Sequence, residues 1–188
     1  MTFRAYELQN DVSVNSSRPV TIEELSALGV KIVTFDESQD SEQAAQRLVQ
    51  EQWGYPLDKK DSVVPFDLRQ NAANTPEISG LVAQLVQLIE NPVLAFSVDL
   101  TGIVSYSTIY LDVEDIKSKK WIRIHPGPRQ LYRVAAGLKI RAALTDQNRD
   151  HAGILFFKDG VSSLEIIPEK DLDNHAARQS YLNSIGKF

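Results

Sequence analysis

Cysteine is absent from all 188 residues, which excludes disulfides, thiol nucleophiles, cysteine-bound zinc and iron–sulfur clusters together and fits a reducing compartment. An excess of positive charge is also missing. Twenty Lys and Arg stand against 25 Asp and Glu for a formal net charge of -5, and no basic stripe alternates with aromatics as a nucleic-acid groove requires. The one basic cluster, Lys117, Lys119 and Lys120, follows the acidic Asp112, Glu114 and Asp115 and reads as a solvated turn. No apolar run approaches the ~18 residues of a membrane helix. The start "MTFRAYELQND" has neither the charge nor the apolar stretch of a signal peptide, so a soluble, cytoplasmic protein without a membrane anchor is expected. No two of the nine glycines are separated by one residue, and no glycine precedes a Lys-Ser or Lys-Thr pair. The dinucleotide loop, the phosphate loop and the serine-hydrolase elbow therefore drop out. The three histidines, His125, His151 and His175, lie too far apart in sequence for two to share one element as a metal site.

What is present is a mixed pattern in the first half and a period-two pattern in the second. A strand is expected near Arg4 to Leu8, then a helix opened by the capping box Thr21-x-x-Glu24, and then the strand "VKIVTF". Asp40 caps a second helix that carries Ala44, Leu48 and Val49 and stops at Gly54. "SVVPFDL" reads as an edge or irregular strand because of its proline. "TPEISGLVAQLVQLIE" places Thr75 as cap and Pro76 at the first helical position, with Ile78, Leu81, Val82, Leu85 and Ile89 on one face. After Pro92 the segments "VLAFSVD", "IVSYSTIYLDV", "KWIRIH", "RQLYRVA", "GLKIRAALT" and "AGILFFKD" are separated by the turn chemistry of "LTG", "PGP" and "AAG", which predicts antiparallel strands in a small barrel or jelly roll. The tail after Pro168 reads as a closing helix with Leu172, Ala176, Ala177 and Leu182 turned inward. Length fits one domain spanning residues 1–188, of α+β class, with N-terminal helices, one β-barrel and a C-terminal helix.

In that order the elements resemble the acireductone dioxygenase family, cupin-fold enzymes of methionine salvage. "EELSALGVKIVTF" looks like the family's helix, Leu-Gly-Val and strand, and "RLVQEQWGYPLDKKDSVVPFDL" like its segment ending in a Tyr and an Asp-Val-hydrophobic strand. "FSVDLTGIVSYS" resembles its Glu-Gly-x-Gly turn, and "ILFFKDGVSSLEI" its Arg-hydrophobic-Phe-Lys-Asp stretch. The resemblance implies a jelly-roll cupin barrel. In the family a His-x-His, a Glu four residues on and a later His hold iron or nickel. Residues two apart on a strand point the same way, so two imidazoles and a carboxylate converge on one cation. Carried over by spacing from Gly102 and from "HPGPRQLY", those positions fall on Gln87, Ile89, Val93 and Gln130, and an arginine of the family's barrel falls on Leu155. With every ligand replaced, a barrel without metal or other cofactor is expected.

Strand alternation from Gln130 puts Tyr132 and Val134 on its face and turns Leu131 and Arg133 away. Ala95, Ser97 and Asp99 should share the face of Val93. The candidate substrate-binding residues are therefore Gln87, Gln130, Ser97 and Asp99, and the candidate proton-moving residues Tyr132 and His125. Gln87 reads equally as the end of the preceding helix, and Asp99 as a turn-former beside "LTG". His151, behind "QNRD", and His175, among charges, read as surface residues, and the facing of Tyr106 is open because "IVSYSTIY" is apolar on both parities. Two functions from different classes fit. One is a metal-independent enzyme that isomerises, cyclises or dehydrates an enol or carbonyl metabolite. The other is a non-catalytic cupin that binds a small ligand or a protein. A dioxygenase with displaced ligands fits less well, and a monomer and a homodimer are both open.

Overall fold

The alternating apolar residues after Pro92 and the capped helices before it assemble into two antiparallel sheets with helices on their outer sides. The computed structural model describes residues 3–9, 13–69, 72–87, 92–141 and 150–186. One sheet has five strands, in the order β3 (Val30–Thr34), β9 (Gln130–Val134), β6 (Leu100–Tyr106), β11 (Ala152–Phe156) and β4 (Val63–Asp67). The other has seven, in the order β12 (Ile166–Pro168), β5 (Val93–Phe96), β10 (Ile140–Arg141), β7 (Leu111–Asp115), β8 (Lys120–His125), β1 (Arg4–Gln9) and β2 (Ser13–Pro19). Their inner faces enclose one apolar core. Val30, Ile32, Phe66, Val104, Tyr132 and Val134 come from the five-stranded sheet, and Leu94, Phe96, Val113, Ile122, Ile124 and Ile140 from the seven-stranded one.

Thr21 caps α1 (Ile22–Ala27) through the expected reciprocal box, and the Asp40 carboxylate accepts from Glu42 N and Gln43 N to open α2 (Ser41–Glu51). Helix α2 lies on the outer face of the five-stranded sheet, where Ala45 and Val49 pack with Ile103, Leu131 and Phe156. This second core explains why β6 is apolar on both parities: Ile103 faces α2 while Val104 faces the barrel. Tyr106, beyond the covered part of the strand, is 48% exposed and lies 5.0 Å under the Arg69 guanidinium.

The expected strand "IVSYSTIYLDV" is two strands, β6 and β7, parted by a turn with Ser107 at φ 61°. Two strands were not anticipated: β2, whose sequence is polar, and the three-residue β12. Of "GLKIRAALT", only Ile140 and Arg141 are seen as strand among the described residues. The tail is two helices, α4 (Glu169–Leu172) and α5 (Ala176–Ser184), because His175 interrupts it and accepts from Ala177 N through Nδ1 as an N-cap. Ala176 is consequently exposed, and Arg178 and Tyr181 are the buried side of α5. Tyr181 donates to Leu28 O at 3.0 Å, and Arg178 donates to Gly137 O at 3.2 Å and to Glu114 at 2.8 Å. Gly137, at φ +74°, lies so close to α5 that a Cβ there would meet Ala177 O at 2.3 Å.

On the outer face of the seven-stranded sheet Tyr6, Arg123, Asp112 and Arg141 stand in one cross-strand row. The Asp112 carboxylate accepts from Arg123 Nε at 2.7 Å and Nη2 at 3.0 Å and pairs with Arg141 at 3.1 Å. Each guanidinium lies 4.3 Å from an aromatic ring, Arg123 over Tyr110 and Arg141 over Trp121. No described helix is long and apolar enough to cross a membrane.

Candidate functional site

Helix α3 (Pro76–Gln87) forms as the Thr75-Pro76 start predicts, with Thr75 O accepting from Ser79 N, and lays its apolar side across the barrel. It does not seal it. Between α3 and the two sheets lies a cavity of about 80 Å³, roofed by Ile78, Leu81, Val82 and Leu85 of the helix and floored by Phe66, Tyr132 and Leu155 of the five-stranded sheet. Phe96 and Leu111 of the other sheet close its side. The start of the helix is fastened to β4 by a two-way amide clamp. Asn74 Oδ1 accepts from Asp67 N at 2.8 Å, and Asn74 Nδ2 donates to Asp67 O at 2.6 Å. The Asp67 carboxyl is lowered to about 2, chiefly by hydrogen bonds from Arg69, so this corner stays charged across the physiological range.

Among the described lining residues only Tyr132 and His151 carry side-chain hydrogen-bonding groups. Tyr132 sits in the middle of the inner face, where β-pairing sets it opposite Gly102 and Gly102 opposite Leu155. A Cβ on Gly102 would meet the Tyr132 hydroxyl at 2.8 Å and Leu155 Cδ2 at 2.9 Å, so the ring fills the space a side chain would have taken. The residue is 2% exposed and no described group hydrogen-bonds to its hydroxyl. Burial alone pushes the phenol far above its ordinary value. Burial thus favours the neutral phenol, which can donate its proton in a hydrogen bond.

His151 corrects the surface reading outright. It is 2% exposed, immediately precedes β11, meets the Phe66 ring edge-on with centroids 5.4 Å apart, and accepts from Leu68 N at 2.9 Å through its carbonyl. The polar run "QNRD" hid it, and the only sequence signal for burial was the apolar strand that starts one residue later.

The other expected site residues are spent elsewhere. Gln130 is 1% exposed but does not line the cavity: Oε1 accepts from Gly127 N at 2.8 Å and Nε2 donates to Thr34 Oγ1 at 3.3 Å, which closes the turn before β9. Ser97 latches β5 to β12, donating to Ser163 O and accepting from Glu165 N. Asp99 pairs with Arg133, which also lies over Trp53, and accepts from Ala136 N at 2.9 Å, so its turn-forming alternative matches what it does here. Gln87 is exposed at the end of α3, and Ile89 lies outside the described residues. His125 ends β8 on the outer face beside Tyr110, with ring centroids 6.2 Å apart, and away from the cavity. Val93 and Ala95 face outward, Ala95 into a small cluster with Ile167 and Leu172, while Leu94 and Phe96 face in. The expected facing of β5 is therefore off by one residue, which exchanges every side chain between the two faces. Among the described residues no three His, Asp or Glu side chains lie together closely enough to hold a metal ion.

No protein-family model matches the sequence, and comparison with curated proteins gives no match. Among solved structures the chain is similar to one described as acireductone dioxygenase from Bacillus anthracis with cadmium ion in active center. The identity is 14% and the TM-score 0.52, covering 84% of this chain and 93% of that one. The likeness shows the fold, a two-sheet cupin barrel with flanking helices.

Proposed function

We propose that this protein is a cupin that holds a small carbonyl- or enol-bearing metabolite in the cavity under α3. The observation that carries the reading is the placement of that space: about 80 Å³ left open between α3 and the inner faces of the two sheets, where tight packing is the rule. The solved acireductone dioxygenase carries cadmium in its active centre. The residues here do not fit such an ion. The floor of the cavity is Phe66, Leu155 and a neutral phenol, Gln130 is tied into a turn, and no described acidic or imidazole cluster can converge on a cation. The function proposed is therefore binding, with any chemistry carried by the side chains themselves.

His151 favours a second step. Among the described lining residues it is the one side chain able both to take and to return a proton, and with Tyr132 donating to a carbonyl oxygen it supports a non-oxidative rearrangement such as isomerisation, cyclisation or dehydration. The test of binding is a methyl-detected NMR screen of neutral carbonyl metabolites. Shifts confined to Ile78, Leu81, Leu85 and Leu155 are expected, and a screen in which no compound moves those methyls removes the proposal. For a bound compound, product formation should be independent of dioxygen and of chelator and be lost in His151→Phe. Turnover that requires dioxygen would overturn the non-oxidative reading.

A further inference from the structure

The chemistry of the lining restricts what the cavity can accept, and this step rests on the reading that it holds a ligand. Three observations act together. Among the described residues no lysine or arginine lines the space, so none of them compensates the desolvation of a carboxylate or phosphate. Its volume of about 80 Å³ is roughly half that of the ~150 Å³ cavity that admits the six carbons of benzene, which leaves room for a body of about three to five non-hydrogen atoms. The hydroxyl of Tyr132, a residue 2% exposed, has no described hydrogen-bond partner and stands over Gly102 where any larger residue would collide with it.

A buried donor left open beside an apolar space is unsatisfied until something in the space accepts from it. The Asp112 carboxylate, at a similar depth on the outer side of the barrel, is by contrast held at both oxygens by two arginines. We infer that Tyr132 is the recognition residue of this cavity, donating its hydroxyl to the single acceptor oxygen of a neutral ligand whose remaining surface is apolar. Anions and polyhydroxylated molecules are disfavoured, because beside Tyr132 the described wall offers only the His151 imidazole and hydrocarbon, which leaves most of their polar groups stranded.

The experiment compares 2-butanone with its isostere 2-methylbut-1-ene on the full chain and on Tyr132→Phe, by NMR titration of the lining methyl groups, with propanoate as the anionic probe. In Tyr132→Phe the ketone is expected to bind about five- to tenfold more weakly while the alkene changes by less than about twofold, the loss of one net hydrogen bond. Propanoate should move no lining methyl, and the melting temperature of the variant should be unchanged or raised, since no protein partner loses its bond. An equal effect on both probes, or none on either, overturns the anchoring role while alkene binding keeps the cavity as a site. Propanoate binding at the ketone's affinity overturns the neutral-ligand class. Failure of both neutral probes to bind either protein removes the site itself.

Discussion

The outer face of the seven-stranded sheet and the cavity inside the barrel treat polarity in opposite ways. Outside, Asp112 is 4% exposed and both its oxygens are engaged by Arg123 or Arg141, each guanidinium stacked on an aromatic ring. Inside, the polar side chains that the described residues bring to the cavity are one phenol and one imidazole, and the phenol has no described partner. By composition the outer face is the more site-like, rich in Arg, Asp, Tyr and Trp. The comparison teaches that satisfaction, not density, separates a structural polar group from an available one. A saturated ion pair has nothing left to give a ligand, whereas a lone donor beside a void does.

The largest expected effect comes from breaking the saturated side. Asp112→Ala leaves two guanidinium groups facing each other, and because both arginines keep about a fifth of their side chains in solvent the loss should be about 2–3 kcal/mol rather than the full cost of a fully buried charge. Urea unfolding measures it, and a loss below about 0.5 kcal/mol would mean the outer network contributes little and the contrast is only visual. Next is the unsaturated side. Gly102→Ala drives a methyl into the Tyr132 hydroxyl and Leu155, and overpacking of that kind costs about 1–2 kcal/mol. Near-ultraviolet circular dichroism should report a displaced tyrosine, and a variant as stable as the parent would show that the ring has room to move.

The smallest effect is a pH slope. Burial, then Arg4 and Arg123, hold the His125 imidazole below its ordinary value of 6.5. The unfolded chain therefore binds the proton more readily, and the stability contributed by neutral His125 is fully present above that value and is lost as the pH falls from it through the lower folded value. His125→Asn should flatten the dependence of the urea midpoint between pH 7.5 and pH 5 if this residue is its source. An unchanged slope assigns it to another group.

Much of the barrel was legible because its strands alternate. "RQLYRVA" needs only period two to turn Tyr132 and Val134 one way and Leu131 the other, and the structure puts the first two in the barrel core and the third against α2. The same logic failed on "NPVLAFSVD", where Val93, Leu94, Ala95 and Phe96 are all apolar. Periodicity is silent there because β5 is covered on both sides, by the barrel core and by Ile167 and Leu172. That silence let spacing alone place Val93 inside, one residue out. The cavity itself was not legible. It arises from how far α3 sits from the sheets, a distance that no pattern in "TPEISGLVAQLVQ" encodes, and His151 joins it from a segment whose neighbours are polar. Gln130 was correctly suspected of being inward, but its amide finds Thr34 and Gly127 first, an intramolecular competition invisible without coordinates.

The contact of Gly137 with α5 carries over into hydrogen exchange. Gly137 N donates to Phe96 O on β5, while its carbonyl is held by Arg178 and its Cα is pressed against the Ala177 carbonyl. Lifting the last helix would release the Gly137 carbonyl from Arg178 and also free the Leu28 carbonyl from Tyr181. The end of the chain and the start of β3 are thus joined in one cooperative opening unit. The Gly137 amide should exchange at the rate at which α5 detaches, not at the rate of an ordinary surface turn.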